Sequence, residues 1–259
     1  MHQITAKKHF GQHFLKDEKL AQYIVDALNP NGRYKFVLEV GPGMGVLSQF
    51  LFPRTDAYKT QLIEIDKEAI AYLQNKFPDH LMDIKEGDFL NMDLQRFREQ
   101  VAIIGNFPYN ISTQILFKVL ENKEMVPEVV GMFQREVGIR IASKPGNRDY
   151  GILSVLMQAF YDVVLILTLN EEDFSPPPKV KSVVLRFERK PDITLKCEEK
   201  MFFRVVKAAF NQRRKMLRNA LKEYIMNSAE KEIPYLDKRA ETLSWQQFEE
   251  LTLLFQNKA

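Results

Sequence analysis

The chain has 259 residues with 45% hydrophobic and 27% charged residues and a net charge of +3, which suits a soluble globular protein of one large domain or one domain plus a smaller one. Its one cysteine, Cys197, excludes an internal disulfide and a zinc site built from several cysteines, and fits a reducing cytoplasm. The first sixteen residues hold three lysines and no apolar block, and the longest apolar run, residues 163–169, is too short to cross a bilayer, so we expect neither a secretory signal nor a membrane span.

The first predicted feature is a basic segment with interleaved aromatic residues, residues 7–16 (KKHFGQHFLK). Such a segment is typical of nucleic-acid contact, and we expect it also to close over a bound cofactor. His9 and His13 have the i, i+4 spacing of metal ligands, but Gly11 lies between them and no carboxylate is near. The sequence therefore predicts no metal site.

From about residue 35 to residue 189, short apolar runs alternate with helical patterns. The predicted strands are residues 36–40, 61–65, 83–86, 101–104, 129–133, 163–169 and 183–187. Apolar runs that are spaced by helices are typical of a parallel sheet in an α/β fold. The last two runs are joined by residues 170–182, which are too few for a crossover helix, so we predict an antiparallel pair at one sheet edge.

The pattern changes near residue 190, beyond which helices are predicted over residues 201–224, near 236–242 and over 245–256. Ser244, followed three residues later by Gln247, forms a capping-box pattern for the last helix. We therefore predict an α/β domain over residues 1–190 and a small helical domain over residues 191–259.

Three segments at the ends of successive strands predict a nucleoside-binding crevice. The first strand runs into residues 41–45 (GPGMG), where glycines let the backbone turn tightly and approach a ligand. Glu64 ends the second strand at a spacing that suits hydrogen bonds from both ribose hydroxyls, and Asp66 on the same face is the alternative. Asp88 and Phe89 follow the third strand, where they suit an adenine amino group and an adenine ring.

The glycine spacing indicates which cofactor binds. The dinucleotide fingerprint is G-x-G-x-x-G, whereas Gly41, Gly43 and Gly45 form G-x-G-x-G, and no Gly-Lys-Ser/Thr sequence follows to bind phosphate. We therefore favour S-adenosylmethionine, which carries no phosphate. A purely structural glycine-rich turn is the alternative explanation for the loop alone.

The tetrapeptide Asn106-Phe107-Pro108-Tyr109 follows the fourth strand and suits methyl transfer to the exocyclic amine of a base. An adenine N6 is a weak nucleophile because its lone pair is delocalised into the ring. Acceptors at the Asn106 amide and at the Phe107 carbonyl, which Pro108 restrains, aim that lone pair at the methyl group. Tyr109 stacks on the base, an interaction worth about 1–3 kcal/mol, so positioning carries most of the catalysis. An ordinary Asn-x-Pro turn is the alternative.

Residues 200–222 contain eight Lys or Arg and no acid, while the rest of the chain has 29 basic and 34 acidic residues. On a helical wheel the apolar residues fall on one side and the cations on the other, except Arg213. Either the helix is interrupted at Arg213 or this side chain is buried with a partner. An all-cationic face favours contact with a phosphate backbone, and a solvated face is the alternative. The cations predicted to bind RNA are Arg204, Lys207, Arg214, Lys215, Arg218 and Lys222.

Five motifs resemble the KsgA (RsmA) family of small-subunit ribosomal RNA adenine dimethyltransferases: residues 10–15 (FGQHFL), 39–43 (EVGPG), 106–112 (NFPYNIS), 174–180 (FSPPPKV) and 209–215 (AFNQRRK). The resemblance covers essentially the whole chain. It implies a Rossmann-like class I S-adenosylmethionine-dependent methyltransferase sheet with a C-terminal helical domain. The implied activity is N6 dimethylation of two adjacent adenosines in the 3′-terminal hairpin loop of 16S rRNA, within an immature 30S particle.

The resemblance also implies that the cofactor contacts lie at His13, Leu15, Gly41, Glu64, Asp88 and Asn106, which favours Glu64 over Asp66 for the ribose. The family often has Asn at the position of His13 and Leu at the position of Phe107. We expect Phe107 to act through its backbone.

The nearest alternative function is methylation of one adenine in 23S rRNA, of the macrolide-resistance type, but residues 174–180 and 209–215 favour the dimethyltransferase. A DNA adenine methyltransferase is disfavoured because the chain has no target-recognition domain. The alternative from another class is a ribosome-assembly factor without catalysis, which the intact Asn106 and Tyr109 disfavour. We expect a cytoplasmic monomer that binds no membrane.

Overall fold

The computed structural model describes residues 13–192, 194–229 and 232–256, and the chain divides into two compact units. One unit comprises the residues up to 138 and residues 164–189, and the other comprises residues 139–163 and the residues from 190 onward. The predicted division at residue 190 therefore misses residues 139–163, which join the helical unit. Among the described residues, no helix is both long and apolar enough to cross a membrane.

Within the described residues, nine strands form a seven-stranded sheet and a separate two-stranded ribbon. In chain order they are β1 (Phe14–Leu15), β2 (Phe36–Val40), β3 (Lys59–Glu64), β4 (Ile84–Glu86), β5 (Val101–Asn106), β6 (Glu128–Gln134), β7 (Tyr161–Leu169), β8 (Phe174–Ser175) and β9 (Ser182–Arg189). The sheet has the order β4-β3-β2-β5-β6-β9-β7, so all seven predicted strands lie in it. The pairs from β4 through β6 are parallel, and β9 runs antiparallel to β6.

The helices are α1 (Glu18–Asp26), α2 (Ser48–Leu51), α3 (Lys67–Lys76), α4 (Ser112–Glu121), α5 (Arg135–Ala142), α6 (Ile152–Phe160), α7 (Glu199–Asn211), α8 (Leu217–Ala220), α9 (Lys222–Met226) and α10 (Trp245–Gln256). The segments that contain α2, α3 and α4 connect consecutive parallel strands. The strand order reverses between β2 and β5, and ligands of such sheets bind beyond the carboxyl ends of the strands at this switch point.

Two glycines in the central strands make room for an aromatic side chain directly beneath the switch point. A Cβ atom at Gly131 of β6 would lie 2.4 Å from the ring of Phe107, and one at Gly105 of β5 would lie 3.0 Å from the same ring. The Phe107 ring is 1% exposed and packs edge-on against Phe133, with 5.5 Å between ring centroids. The core therefore anchors the chain where it leaves β5.

The helical unit includes α6 because that helix is apolar on most of its surface. Its buried residues are Ser154, Val155, Leu156, Met157, Ala159 and Phe160, and it contacts α7 and α10. A helix with so wide an apolar surface needs more than one neighbour to cover it. The need to cover the apolar surface of α6 explains why residues 139–163 belong to the helical unit. The change of sequence pattern near residue 190 does not reveal this need.

The prediction of one helix over residues 201–224 is wrong. α7 ends at Asn211, and a turn separates it from the short helices α8 and α9. Arg213 lies in this turn, where it donates a hydrogen bond to the carbonyl of Arg148 and forms an ion pair with Glu241 at 3.9 Å. The interruption explains why Arg213 falls on the apolar side of a wheel drawn for a continuous helix.

The last helix agrees with its prediction. α10 spans Trp245–Gln256, and the Ser244 N–H donates to the Gln247 side-chain oxygen at 3.0 Å. The Gln247 N–H donates in return to the Ser244 hydroxyl at 3.4 Å, which completes the capping box. The helix predicted near residues 236–242 is only a single 3₁₀ turn, Ala240–Thr242.

Candidate functional site

A cavity of about 730 Å³ lies at the carboxyl ends of β2, β3, β4 and β5, within the first unit. Its volume is typical of a site for a small molecule or cofactor. Of the residues predicted to bind cofactor or to act in catalysis, the structure places these in its wall: His13, Leu15, Gly41, Gly43, Glu64, Asp88, Phe89, Asn106, Pro108 and Tyr109. Phe107 does not line the cavity because its ring points into the core.

The glycine loop has a backbone that side chains disfavour. Gly41, Gly43 and Gly45 have φ angles of +66°, +55° and +71°. A Cβ atom at Gly43 would lie 2.7 Å from the ring of Phe14, so β1 packs directly on the loop. β1 is held there by the ribbon, in which Phe14 pairs with Ser175 of β8.

Glu64 is buried at the end of β3 and contacts the glycine loop. One carboxylate oxygen accepts from the Gly43 N–H at 3.1 Å, and the other accepts from the Ile65 and Asp66 N–H groups at 2.9 and 3.0 Å. Burial raises the pKa of Glu64, and these three backbone donors oppose that rise. Asp66 instead caps α3 by accepting from the Glu68 N–H at 3.0 Å, and it does not line the cavity.

Glu39 is an ionisable residue of the cavity wall for which no role was predicted. It lies in β2, is 1% exposed, and accepts a hydrogen bond from the Ser48 hydroxyl at 2.5 Å. Burial raises the pKa of Glu39 from 4.5 to about 8, against the opposing effect of the Ser48 hydrogen bond. The Lys76 ammonium, which donates to the Met44 carbonyl at 3.0 Å, also favours the ionised carboxylate. The sequence signal that could have identified Glu39 is an acidic residue within an otherwise apolar predicted strand.

Asp88 and Phe89 begin a 3₁₀ turn after β4. One Asp88 oxygen accepts from the Leu90 N–H at 2.9 Å, and the other accepts from the Asn91 side chain at 2.7 Å. Phe89 is 3% exposed, so it packs in the wall of the cavity. Lys118 of α4 holds this turn in place by donating to the Leu90 carbonyl at 2.9 Å.

Asn106 ends β5 with its amide group in a defined orientation. Its Nδ2 donates to the His13 carbonyl at 2.6 Å. Because a carbonyl can only accept, the nitrogen of the amide must face His13, and Oδ1 is left as an acceptor. The ring of Pro108 lies close to the glycine loop, since a Cβ atom added at Gly41 would be 3.7 Å from it. The tetrapeptide and the glycine loop are thus neighbours.

Tyr109 is partly buried at the same end of the sheet. Its hydroxyl shares a hydrogen bond of 2.5 Å with the hydroxyl of Ser182, which is fully buried. Burial raises the pKa of Tyr109, and the hydrogen bond with Ser182 opposes that rise. The Tyr109 ring faces the His13 ring, with 5.6 Å between centroids and 28° between planes. His13 Nδ1 in turn lies 2.8 Å from the Pro176 carbonyl.

The cations predicted to bind RNA are all exposed, but they do not share one helix. They lie on α7, in the following turn and on α8 and α9, and Arg218 forms an ion pair with Asp237. A helical wheel drawn for one continuous helix therefore makes the surface formed by these cations look more uniform than it is. No group of three or more His, Cys, Asp or Glu side chains suited to a metal occurs in the part of the chain that the structure describes, and His9 lies outside that part.

Comparison with known sequences extends over nearly the whole chain. The sequence model of the family described as "Ribosomal RNA adenine dimethylase" matches residues 3–256. A relative from Cytophaga hutchinsonii, "Ribosomal RNA small subunit methyltransferase A", is 54% identical over 259 residues, which is 100% of both chains. A relative of the same name from Flavobacterium johnsoniae is 51% identical over 97% of this chain and 96% of its own.

Two solved structures are similar in fold. A dimethyladenosine transferase from Plasmodium falciparum has a TM-score of 0.77 and 24% identity over 94% of this chain and 98% of its own. The 23S rRNA methyltransferase ErmE has a TM-score of 0.62 and 23% identity over 92% of this chain and 99% of its own. At these identities the likeness shows the Rossmann-like methyltransferase fold alone.

Proposed function

Because the chain belongs to the ribosomal RNA adenine dimethylase family, and is thus an S-adenosylmethionine-dependent methyltransferase, we propose that its target is the 3′-terminal hairpin loop of 16S rRNA in an immature 30S particle. In this proposal it transfers methyl groups to N6 of two adjacent adenosines and produces N6,N6-dimethyladenosines. The observation that carries the chemistry is the orientation of Asn106, whose amide oxygen remains an acceptor at the cavity.

The cavity residues fit S-adenosylmethionine, whose sulfonium supplies an electrophilic methyl group. Glu64 is the partner for the ribose hydroxyls, since its carboxylate is buried in the wall and oriented by three backbone donors. Asp88 and Phe89 receive the adenine amino group and ring. Gly41 and Gly43 present their backbone to the cavity that receives the ligand, and the His13–Leu15 segment lines the same cavity. No metal is required by this set of contacts.

The tetrapeptide orients the target amine. Asn106 Oδ1 and the Phe107 carbonyl accept the two N6 hydrogens, which turns the nitrogen lone pair out of the plane of the base. The buried Phe107 ring fixes the position of its own carbonyl, and Pro108 restrains the adjoining turn. Tyr109 stacks on the base, held by its hydrogen bond to Ser182. Positioning of this kind replaces a strong general base because alkylation makes the amine acidic.

The helical unit supplies contacts to the RNA backbone. The exposed cations proposed to make these contacts are Arg204, Lys207, Arg214, Lys215, Arg218 and Lys222. Phosphate contacts of this kind position a protein without reading the sequence of bases. We further propose that the protein acts as a cytoplasmic monomer, where ribosomal particles are available as substrate. The second candidate function is adenine methylation of 23S rRNA, which is supported by the fold that this chain shares with ErmE. The 54% identity to a small-subunit methyltransferase favours 16S rRNA as the target.

The decisive experiment incubates the protein with labelled S-adenosylmethionine and unmethylated 30S particles, 50S particles or duplex DNA, and then maps the modified base. We expect label in 30S particles alone, at N6 of two adjacent adenosines. Label in 50S particles would select the second candidate, and binding to 30S without any label would indicate an assembly factor.

Asn106→Ala tests the assigned chemistry. Loss of one pre-organised hydrogen bond to the reacting group is expected to lower kcat about 100- to 1,000-fold, while binding to 30S particles is retained. Asn106→Asp is the matched variant, because it keeps an oxygen acceptor but loses the donor to His13. It is expected to retain more activity than the alanine variant. Unchanged turnover in Asn106→Ala would refute the role of Asn106.

A further inference from the structure

The carboxyl-terminal end of α3 packs against the glycine loop. A Cβ atom at Gly45 would lie 2.7 Å from the ring of Phe77, which directly follows α3, and 2.8 Å from a methyl group of Leu73. The second half of the loop therefore lies directly on this end of the helix. Lys76, the last residue of α3, also lines the cavity.

The Lys76 ammonium binds two consecutive carbonyl groups of the loop. Its Nζ donates to the Met44 carbonyl oxygen at 3.0 Å and lies 3.5 Å from the Gly45 carbonyl oxygen. It also lies 5.3 Å from the centroid of the Phe77 ring, whose face attracts a cation. Hydrogen bonds from a charged donor are roughly twice as strong as those between neutral groups. One side chain thus restrains two adjacent peptide groups.

A carboxylate restrains the first half of the loop. Glu64 accepts from the Gly43 N–H at 3.1 Å, and it ends β3, the strand that leads into α3. An anion therefore binds an N–H group of the loop and a cation binds its carbonyl groups, which matches the polarity of the peptide bond. Because Glu64 and Lys76 belong to consecutive elements, the loop is fixed relative to the carboxylate that is proposed to bind the ribose.

Two carboxylates favour the charged form of Lys76. Desolvation lowers the pKa of Lys76, and Glu18 and Glu39 oppose that fall. Both carboxylates line the same cavity. The ammonium carries a full charge and three N–H donors, so it is the form that is best suited to bind two carbonyl groups.

We propose that Lys76 is a positioning residue for the cofactor, which holds the glycine loop in the form that receives S-adenosylmethionine. This inference rests on the proposed function and adds a residue of α3 to its cofactor site. In this role Lys76 acts through the backbone of the loop and not on the reacting atoms. A contact that is equal in the ground state and the transition state affects KM and leaves kcat unchanged. Loss of the Lys76 ammonium should therefore weaken cofactor binding without slowing the bound complex.

The test compares Lys76→Met with the wild-type full-length protein. Methionine keeps an unbranched side chain but has neither the charge nor the N–H donors. The Kd for S-adenosylhomocysteine, measured by calorimetry, is expected to rise about tenfold, the scale of one lost charge-assisted hydrogen bond. The KM for S-adenosylmethionine, with unmethylated 30S particles as substrate, is expected to rise by a similar factor, while kcat changes less than about twofold. Lys76→Arg keeps a charge and N–H donors, so it is expected to recover most of the affinity.

Lys67→Met is the matched control, because Lys67 is exposed at the other end of α3 and pairs with Glu86 at 3.5 Å. It is expected to leave the Kd for S-adenosylhomocysteine unchanged. A Kd for Lys76→Met within about twofold of the wild-type value, or an equal loss of affinity in Lys76→Arg, would overturn the inference. So would a fall in kcat at unchanged KM, or a lower melting temperature with unchanged Kd, which a purely structural role would produce. Failure of the wild-type protein to label 30S particles would instead refute the proposed target, since the Kd is measured without RNA.

Discussion

The buried carboxyl of Glu39 gives a pH dependence of stability that can be worked out from the structure. Its pKa is raised from 4.5 to about 8 because the side chain is buried in β2. An acid with a raised folded-state pKa stabilises the fold fully only below its unfolded pKa, and that contribution is lost as pH rises to the folded value. Stability should therefore decline between pH 4.5 and about pH 8.

The size of the effect follows from the same shift. One pKa unit corresponds to about 1.4 kcal/mol, and pH 7 lies about 2.5 units above the unfolded value. The buried carboxyl should thus reduce the free energy of unfolding by about 3 kcal/mol between pH 4.5 and pH 7. Gln at this position is neutral at every pH, so Glu39→Gln should flatten this part of the profile. Glu64 also has a raised pKa, so it contributes to the pH profile of both proteins. The test is therefore the difference in unfolding free energy between wild type and Glu39→Gln at each pH.

The assay is urea unfolding of both proteins at intervals from pH 4.5 to pH 8.5. Exposed Glu121, on α4, provides the control, because Glu121→Gln should follow the wild-type profile. A difference between wild type and Glu39→Gln that stays constant over this range would refute the reasoning. A difference that goes on changing above pH 8 would mean that burial raises the pKa of the Glu39 carboxyl beyond about 8.

Two further predictions concern cofactor and RNA. Gly43→Ala should weaken S-adenosylhomocysteine binding at least tenfold by calorimetry, because the new Cβ would lie 2.7 Å from Phe14 in a backbone of φ +55°; unchanged affinity would contradict the loop geometry. Arg214→Ala with Lys215→Ala should weaken RNA binding and lower the slope of log K against log salt by about 1 to 2, since each phosphate contact adds about one unit. The control is Arg96→Ala, at an exposed arginine of the first unit, and an equal effect there would indicate nonspecific loss of charge.

Local pattern was sufficient to predict most of the sheet and most of the residues that line the cavity at its edge. All seven predicted strands are present, because apolar runs of strand length separated by helices leave few other arrangements. The glycine loop, Glu64 and Asp88 were also foreseeable, since the ends of adjacent parallel strands meet at one sheet edge. Such features depend on neighbours along the chain and on the rule that ligands bind beyond the carboxyl ends of parallel strands.

Long-range packing decided the rest. The helix predicted through Arg213 breaks because contacts with Arg148 and Glu241, distant in sequence, hold that arginine in a turn. Glu39 became a group of raised pKa only when both faces of β2 were covered.

The opposed rings of His13 and Tyr109 depend on a ribbon that brings together residues more than 150 positions apart. The sequence by itself therefore determined which chemical groups are available, the alternation of strands and helices, and the strand ends at which the groups gather. The tertiary structure alone decided their orientation, burial and spacing, because those quantities are set by atoms that the chain brings into contact only on folding.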